Sequence, residues 1–319
     1  MSNSDFVLVA DIGGTNSRFG IVRAGSMTPE AVSTLDNDNF NGLGEAIPGY
    51  LEHVGVKPNR AVLAIAGPIK DGTVHLTNRR GWSFKPEELA RDLGMSRVEV
   101  VNDFAGIAWA LPHLRADELE PLGEGEARSD ATKVVLGPGT GLGVAALLYD
   151  NGRWVIVPSE AGHVELAATT AREEAIFAAV RADFGRVSAE SVLSGPGLAR
   201  LDQAISLIDG VPTETRKGQD VSIAAREGDV TAKEAVDIFF TALARFAGDM
   251  ALSFLAQGGV YIYGGVAQKN ADLMDVVKFR DAFSNKAPHQ KLVSNISTKL
   301  ITSPQPALTG CAAIAAEKA

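Results

Sequence analysis

Cysteine is nearly missing from this chain. Its 319 residues include one, Cys311, which excludes an internal disulfide and any multi-cysteine metal site. The apolar residues around Cys311 predict a buried, inert thiol. Clustered Lys and Arg are missing too, and the net charge is −9, so no nucleic-acid partner is expected. The longest apolar run, Val134 to Tyr149, is broken by four glycines and a proline, which argues against a membrane span. Met1 to Phe6 is short and polar, with no basic region followed by an apolar stretch; no signal peptide is expected, and a cytoplasmic location is.

What is present is ordinary for a globular protein: 45% hydrophobic and 22% charged residues. A chain of 319 residues exceeds what one core usually fills, so two domains are expected, with small ligands bound between them. Phe6 to Ala10, Arg18 to Val22, Ala61 to Ala66 and Val98 to Val101 read as strands, and helical stretches lie between and after them. The class is therefore α/β. A long core helix is predicted from about Thr231 to Ala256, with Val236, Phe239, Phe240, Leu243, Ala247, Met250 and Phe254 on one face. Arg172 to Phe184 and Pro196 to Ile208 read as amphipathic helices, and Pro121 to Thr132 as a surface loop.

One pattern occurs twice. Leu8-Val-Ala-Asp-Ile-Gly-Gly-Thr15 followed by Arg18 to Val22 is echoed by Val135-Leu-Gly-Pro-Gly-Thr140 followed by Gly143 to Leu148. Both copies read strand, Gly-Thr turn, strand, which suggests a duplicated domain. In Asp11-Ile12-Gly13-Gly14-Thr15-Asn16, bare backbone amides lie beside a carboxylate and a hydroxyl, a combination that suits a phosphate with its Mg²⁺; a plain tight hairpin is the alternative. Gly137 to Gly143 holds four glycines in seven residues, which weaken strands without packing gain, so function explains it better. Neither loop is a P-loop or a dinucleotide fingerprint. Gly264-Gly265, after the apolar run Val260 to Tyr263, is equally a simple strand-to-helix turn.

Polar residues gather elsewhere. Val98 to Val101 ends in Asn102-Asp103 before the helix-like Phe104 to Leu111, where a helix cap and a ligand-facing role are both open. Ser159 to Glu165 sets Glu160 and His163 three residues apart, with small residues between them. No second His or Cys stands at metal-ligand spacing. Glu190 in Val187 to Val192 fits a helix dipole behind a Ser188 cap.

Taken in order, these segments resemble the bacterial glucokinases of the proteobacterial type, within the hexokinase, actin and heat-shock-chaperone superfamily. The resemblance runs through Asp11 to Asn16, Ile65 to Ile69, Leu76 to Asn78, Val101 to Phe104, Gly137 to Gly143, Glu160 to Val164, Ser188 to Glu190 with Ser194 to Leu198, Gly264-Gly265 and Leu308 to Ala312. It implies two related α/β domains of the actin-like ATPase, ribonuclease H-like type flanking a cleft: residues 1–110 with about 303–319, and 111–302. It further implies ATP and Mg²⁺, with Asp11, Ile12, Gly13, Gly14, Thr15, Asn16, Gly139, Thr140, Gly141, Gly264 and Gly265 on the nucleotide side and Asp11 holding the metal through water. Asn102, Asp103, Glu160, His163 and Glu190 become sugar ligands, and Asp103 the catalytic base. The implied reaction converts ATP and D-glucose to ADP and D-glucose 6-phosphate, feeding glycolysis, in a homodimer.

The chain departs from that pattern in Asn78-Arg79-Arg80-Gly81-Trp82, one residue longer than the family's turn, which affects a sugar contact near Asn78. The zinc-binding cysteines of the related repressor and open-reading-frame kinase group are absent, as is an N-terminal helix-turn-helix. A kinase of another hexose is the nearest alternative; a catalytically silent sugar-binding regulator is a second.

Overall fold

A computed structural model describes residues 6–317 except 68, 77, 78, 80, 81, 212 and 213. The expected contact near Asn78 and most of the Met1 to Phe6 segment therefore lie outside the described residues. The chain divides into two compact units, Met1–Arg115 with Ser303–Ala319, and Ala116–Thr302.

In the first unit, β1 (Phe6–Ile12), β2 (Asn16–Arg23) and β3 (Glu30–Asp36) form an antiparallel meander. After α1 (Leu43–Val54), β4 (Arg60–Ile65) returns parallel to β1. A small sheet follows, β5 (Ile69–Lys70), β6 (Thr73–His75) and β7 (Ser83–Phe84). Helix α2 (Pro86–Asp92), β8 (Arg97–Asn102) and α3 (Asp103–Ala110) complete this run, giving the sheet order β3-β2-β1-β4-β8. β1 is buried almost throughout because it lies in mid-sheet with both faces covered, which is why it reads as a continuous apolar run.

The second unit repeats that order. β9 (Leu119–Pro121) is an outlying edge strand; β10 (Lys133–Pro138), β11 (Leu142–Asp150) and β12 (Arg153–Ser159) form the meander. Helices α4 (Ala171–Phe184), α5 (Ala189–Val192), α6 (Gly195–Asp209), α7 (Gly218–Glu227) and α8 (Val230–Ser253) come next. Then β13 (Val260–Ile262) runs parallel to β10, followed by α9 (Gly265–Lys269), α10 (Val276–Ser284), α11 (Gln290–Ser294) and β14 (Thr298–Ile301), parallel to β13. The order β12-β11-β10-β13-β14 matches β3-β2-β1-β4-β8 strand for strand, so the repeated sequence pattern reflects a repeated topology. Within this unit α8, N-capped by Asp229, buries Phe239, Phe240, Leu243 and Phe246 in the core.

The last helix, α12 (Pro306–Glu317), belongs to the first unit and packs on α3. Glycine is required at this crossing: a Cβ on Gly310 would lie 1.7 Å from Gly106 O. Cys311, in the same turn, is fully buried, its Sγ 3.6 Å from Ala10 O, as its apolar neighbours predict. Among the described residues no helix is long and apolar enough to cross a membrane.

Candidate active site

The first Gly-Thr turn closes when Gly13 N–H donates to Asn16 O at 3.0 Å. Asp11, at the end of β1, faces Arg18 across the hairpin, with Arg18 Nη1 3.0 Å from Asp11 Oδ2. Burial raises the Asp11 pKa, and Arg18 offsets part of that effect through its charge and hydrogen bond. The second turn closes differently: Gly139 N–H donates to Gly141 O at 2.8 Å, and Gly139 O accepts from Gly195 N–H at 2.8 Å where α6 begins. Gly13 and Gly139 thus spend their amides inside their own turns. Among the described residues, the N–H groups of Gly14, Thr15, Thr140 and Gly141 have no protein acceptor. Gly264, at φ 129°, makes the turn from β13 into α9, beside the end of β10.

At the end of β8 the structure separates the two readings of Asn102 and Asp103. Asn102 is the N-cap of α3, its Oδ1 accepting from Phe104 N–H at 3.0 Å and Ala105 N–H at 3.3 Å. Asp103 is the first helical residue, with Oδ1 2.9 Å from Phe104 N–H. Its pKa is pushed up to about 6, chiefly by burial and further by the nearby Asp11 charge, while the Phe104 N–H and the Asn102 side chain pull the other way. A carboxyl with that pKa exchanges protons near neutrality.

In the second unit Glu160 and His163, three residues apart, meet Glu190 from a later segment. β12 ends at Ser159, whose Oγ accepts from Ala161 N–H, and a short helical turn then carries Glu160 and His163. Ser188 caps α5 through Ser191 N–H, and Ala189 N–H donates to Val164 O, tying the two segments together. His163 Nε2 lies 3.9 Å from Glu160 Oε2, and its Nδ1 3.9 Å from Glu190 Oε1. These gaps exceed hydrogen-bonding distance, so the facing lone pairs remain available to other donors. Glu190 is not merely a dipole partner: its Oε2 accepts Leu142 N–H at 2.8 Å, at the base of the second Gly-Thr turn.

Sequence reasoning missed Arg18, Asn37 and the Leu142 amide. Arg18 could have been found by counting back across the Asp11 hairpin. Asn37, whose Nδ2 donates to Gly13 O in the first Gly-Thr turn, and the Leu142 amide left no local signal, because their partners lie far along the chain.

Among the described residues no group of three His, Cys, Asp or Glu side chains could hold a metal ion. A Mg²⁺ here would draw most of its ligands from phosphate and water, an arrangement that one carboxylate such as Asp11 suits.

Two units of one topology, each with a Gly-Thr turn between its first two meander strands, define a two-domain α/β protein of the actin-like ATPase fold. The crystal structure of glucokinase from an Antarctic psychrotroph matches with a TM-score of 0.91 and 34% identity, covering 98% of this chain and 99% of that one. Curated glucokinases from Mesorhizobium japonicum and Rhizobium leguminosarum bv. trifolii are 40% and 42% identical over 311 residues, 97% of this chain and 91% of each relative. The glucokinase family model matches residues 8–318, and the chain belongs to that family.

Proposed function

We propose that the protein phosphorylates D-glucose: ATP + D-glucose yields ADP + D-glucose 6-phosphate. The observation that carries this reading is Asp103, relieved of capping by Asn102 and held with its pKa pushed up to about 6. Its carboxylate accepts the proton of the 6-hydroxyl as that oxygen forms a bond to the γ-phosphorus, and the bond from that phosphorus to the β,γ-bridging oxygen breaks, releasing ADP. Asn102, Glu160, His163 and Glu190, together with Asp103, bind the sugar hydroxyls; carboxylates are well matched to hydroxyls because each accepts several hydrogen bonds.

The Gly14, Thr15, Thr140 and Gly141 amides bind phosphate oxygens, with Ile12, Gly13, Asn16 and Gly139 shaping the turns around them and Gly264-Gly265 on the adenosine side. When bound, Mg²⁺ supplies charge neutralisation on the phosphates, with Asp11 holding it through water. Arg18 keeps Asp11 oriented for that role. The active form is a homodimer in the cytoplasm, its product entering glycolysis.

A coupled ADP-release assay with glucose, mannose, fructose and an N-acetylhexosamine tests this directly. Turnover greatest with glucose is expected. Faster turnover with another hexose would reassign the substrate, and sugar binding without ADP release would make the protein a regulator.

A further inference from the structure

Asn37 is a fully buried polar residue just past the end of β3, 23 and 24 positions from the turn it contacts. Every polar group of its side chain is engaged. Ser17 Oγ donates to Asn37 Oδ1 at 2.6 Å, while Nδ2 donates to Gly13 O at 2.9 Å and Gly14 O at 3.2 Å. Two carbonyls can face only the NH₂ end, so the side-chain orientation is unambiguous. The Asn37 backbone N–H takes the next carbonyl, Thr15 O, at 2.9 Å. Arg79 in turn donates to Asn37 O.

Three successive carbonyls of the first Gly-Thr turn therefore point at one residue. In a planar trans peptide the C=O of one residue and the N–H of the next point in opposite directions. Fixing Gly13 O and Gly14 O toward Asn37 turns Gly14 N–H and Thr15 N–H away from it, and these are the two turn amides without a protein acceptor among the described residues. Successive amides turned to one side are what an anion needs from backbone. We propose that Asn37 is the positioning residue of the first phosphate loop, setting the direction of the Gly14 and Thr15 amides from outside the loop. This rests on the reading that the loop binds ATP phosphates.

Asparagine fits this position as its nearest relatives in shape do not. Aspartate would place an acceptor against two carbonyls, and leucine would leave both carbonyls buried without a donor.

The test compares Asn37→Ala and Ser17→Ala with the parent enzyme, using ATP and glucose as substrates and ADP and adenosine as competing ligands. For Asn37→Ala, the KM for ATP and the inhibition constant of ADP should rise about tenfold, the size expected when hydrogen bonds to a charged phosphate are misdirected. The inhibition constant of adenosine and the KM for glucose should stay within about twofold, because neither ligand carries a phosphate. Ser17→Ala keeps both Nδ2 donors and loses only the hydroxyl that orients them, so it should show the same selectivity at about threefold. If Asn37→Ala does not fold, this second variant decides the matter. Equal weakening of adenosine and ADP, or an unchanged KM for ATP, would overturn the proposal. Thr15→Pro, confirmed as folded by circular dichroism, removes one of the amides outright. A raised KM for ATP in Thr15→Pro alone would reject Asn37 and keep the loop. No change in either would reject the loop as a phosphate site.

Discussion

Leu142 N–H and Glu190 Oε2, 48 residues apart in sequence, share a hydrogen bond of 2.8 Å, which joins the second Gly-Thr turn to the carboxylate beside His163. A Cβ on the preceding residue, Gly141, would fall 2.4 Å from the same oxygen, so a side chain there requires the Glu190 carboxylate to move. One backbone N–H thus ties the turn to the Glu190 carboxylate.

Replacing Gly141 with alanine should therefore disturb sugar binding from within a phosphate loop. The expected outcome for Gly141→Ala is a KM for glucose raised roughly tenfold, with a smaller change in the KM for ATP, because Glu190 must swing away from Leu142. Steady-state kinetics with each substrate varied in turn would show the split. A larger effect on ATP would mean that the methyl acts through the turn amides instead.

Asp103→Asn should lower kcat by on the order of 10² to 10⁴, because an amide cannot accept the proton. The helix itself should be unharmed, since Asn102 supplies the cap. The same variant should gain stability at neutral pH. The Asp103 pKa stands at about 6 in the folded protein against an ordinary value of 3.8, so the charged form is disfavoured by folding. Its contribution to stability is fully present below about pH 4 and lost as pH rises through 6. An uncharged asparagine escapes that loss, worth about 1–3 kcal/mol above pH 6. Thermal melts at pH 4 and pH 7.5 check the sign: the variant should exceed the parent only at the higher pH.

The same pKa predicts an acid limb in the rate profile. The base must be ionised to accept a proton, so kcat/KM for glucose should fall about tenfold per pH unit below pH 6 and level off above it. In Asp103→Asn the residual rate should lose that limb. A limb that persists unchanged in the variant would assign it to another group.

Gly310→Ala tests the seat of α3. The added methyl meets Gly106 O, so α12 and α3 must separate, at a cost of about 1–3 kcal/mol for an overpacked contact. Because Asp103 opens α3, turnover should fall along with the melting temperature, while the Asn102 cap and the second unit are untouched. Intact turnover in a destabilised variant would show that α3 keeps its place without the close contact.

Legibility of the fold followed burial. β1, β2, β4 and β8 pair along the middle and one side of a sheet, and their branched apolar runs declared them. Glu30–Asp36 forms the opposite edge, pairs only with β2 and carries polar residues on its exposed face, so it left no periodic signal. Arg153–Ser159 is the counterpart edge in the second unit; its central Trp154 to Val157 run is apolar on both faces, with Val155 exposed, so it shows no two-residue alternation either. The candidate site was legible where its residues stand in short motifs, as with Glu160 and His163. Asn102 and Asp103 could not be told apart by spacing, since either residue type can cap a helix; only the observed bonds to Phe104 and Ala105 assign the cap. Asn37 was hidden because a buried asparagine has meaning only through partners that folding brings to it.

Cys311 lies at full burial under β1, and burial pushes its thiol well above the usual range. A thiol that does not ionise neither reacts with maleimides nor forms mixed disulfides at working pH. The folded protein therefore presents a blank background to thiol chemistry. A cysteine introduced on the surface of either unit would be the one reactive position, so fluorophores or spin labels could be attached singly without first removing the native residue.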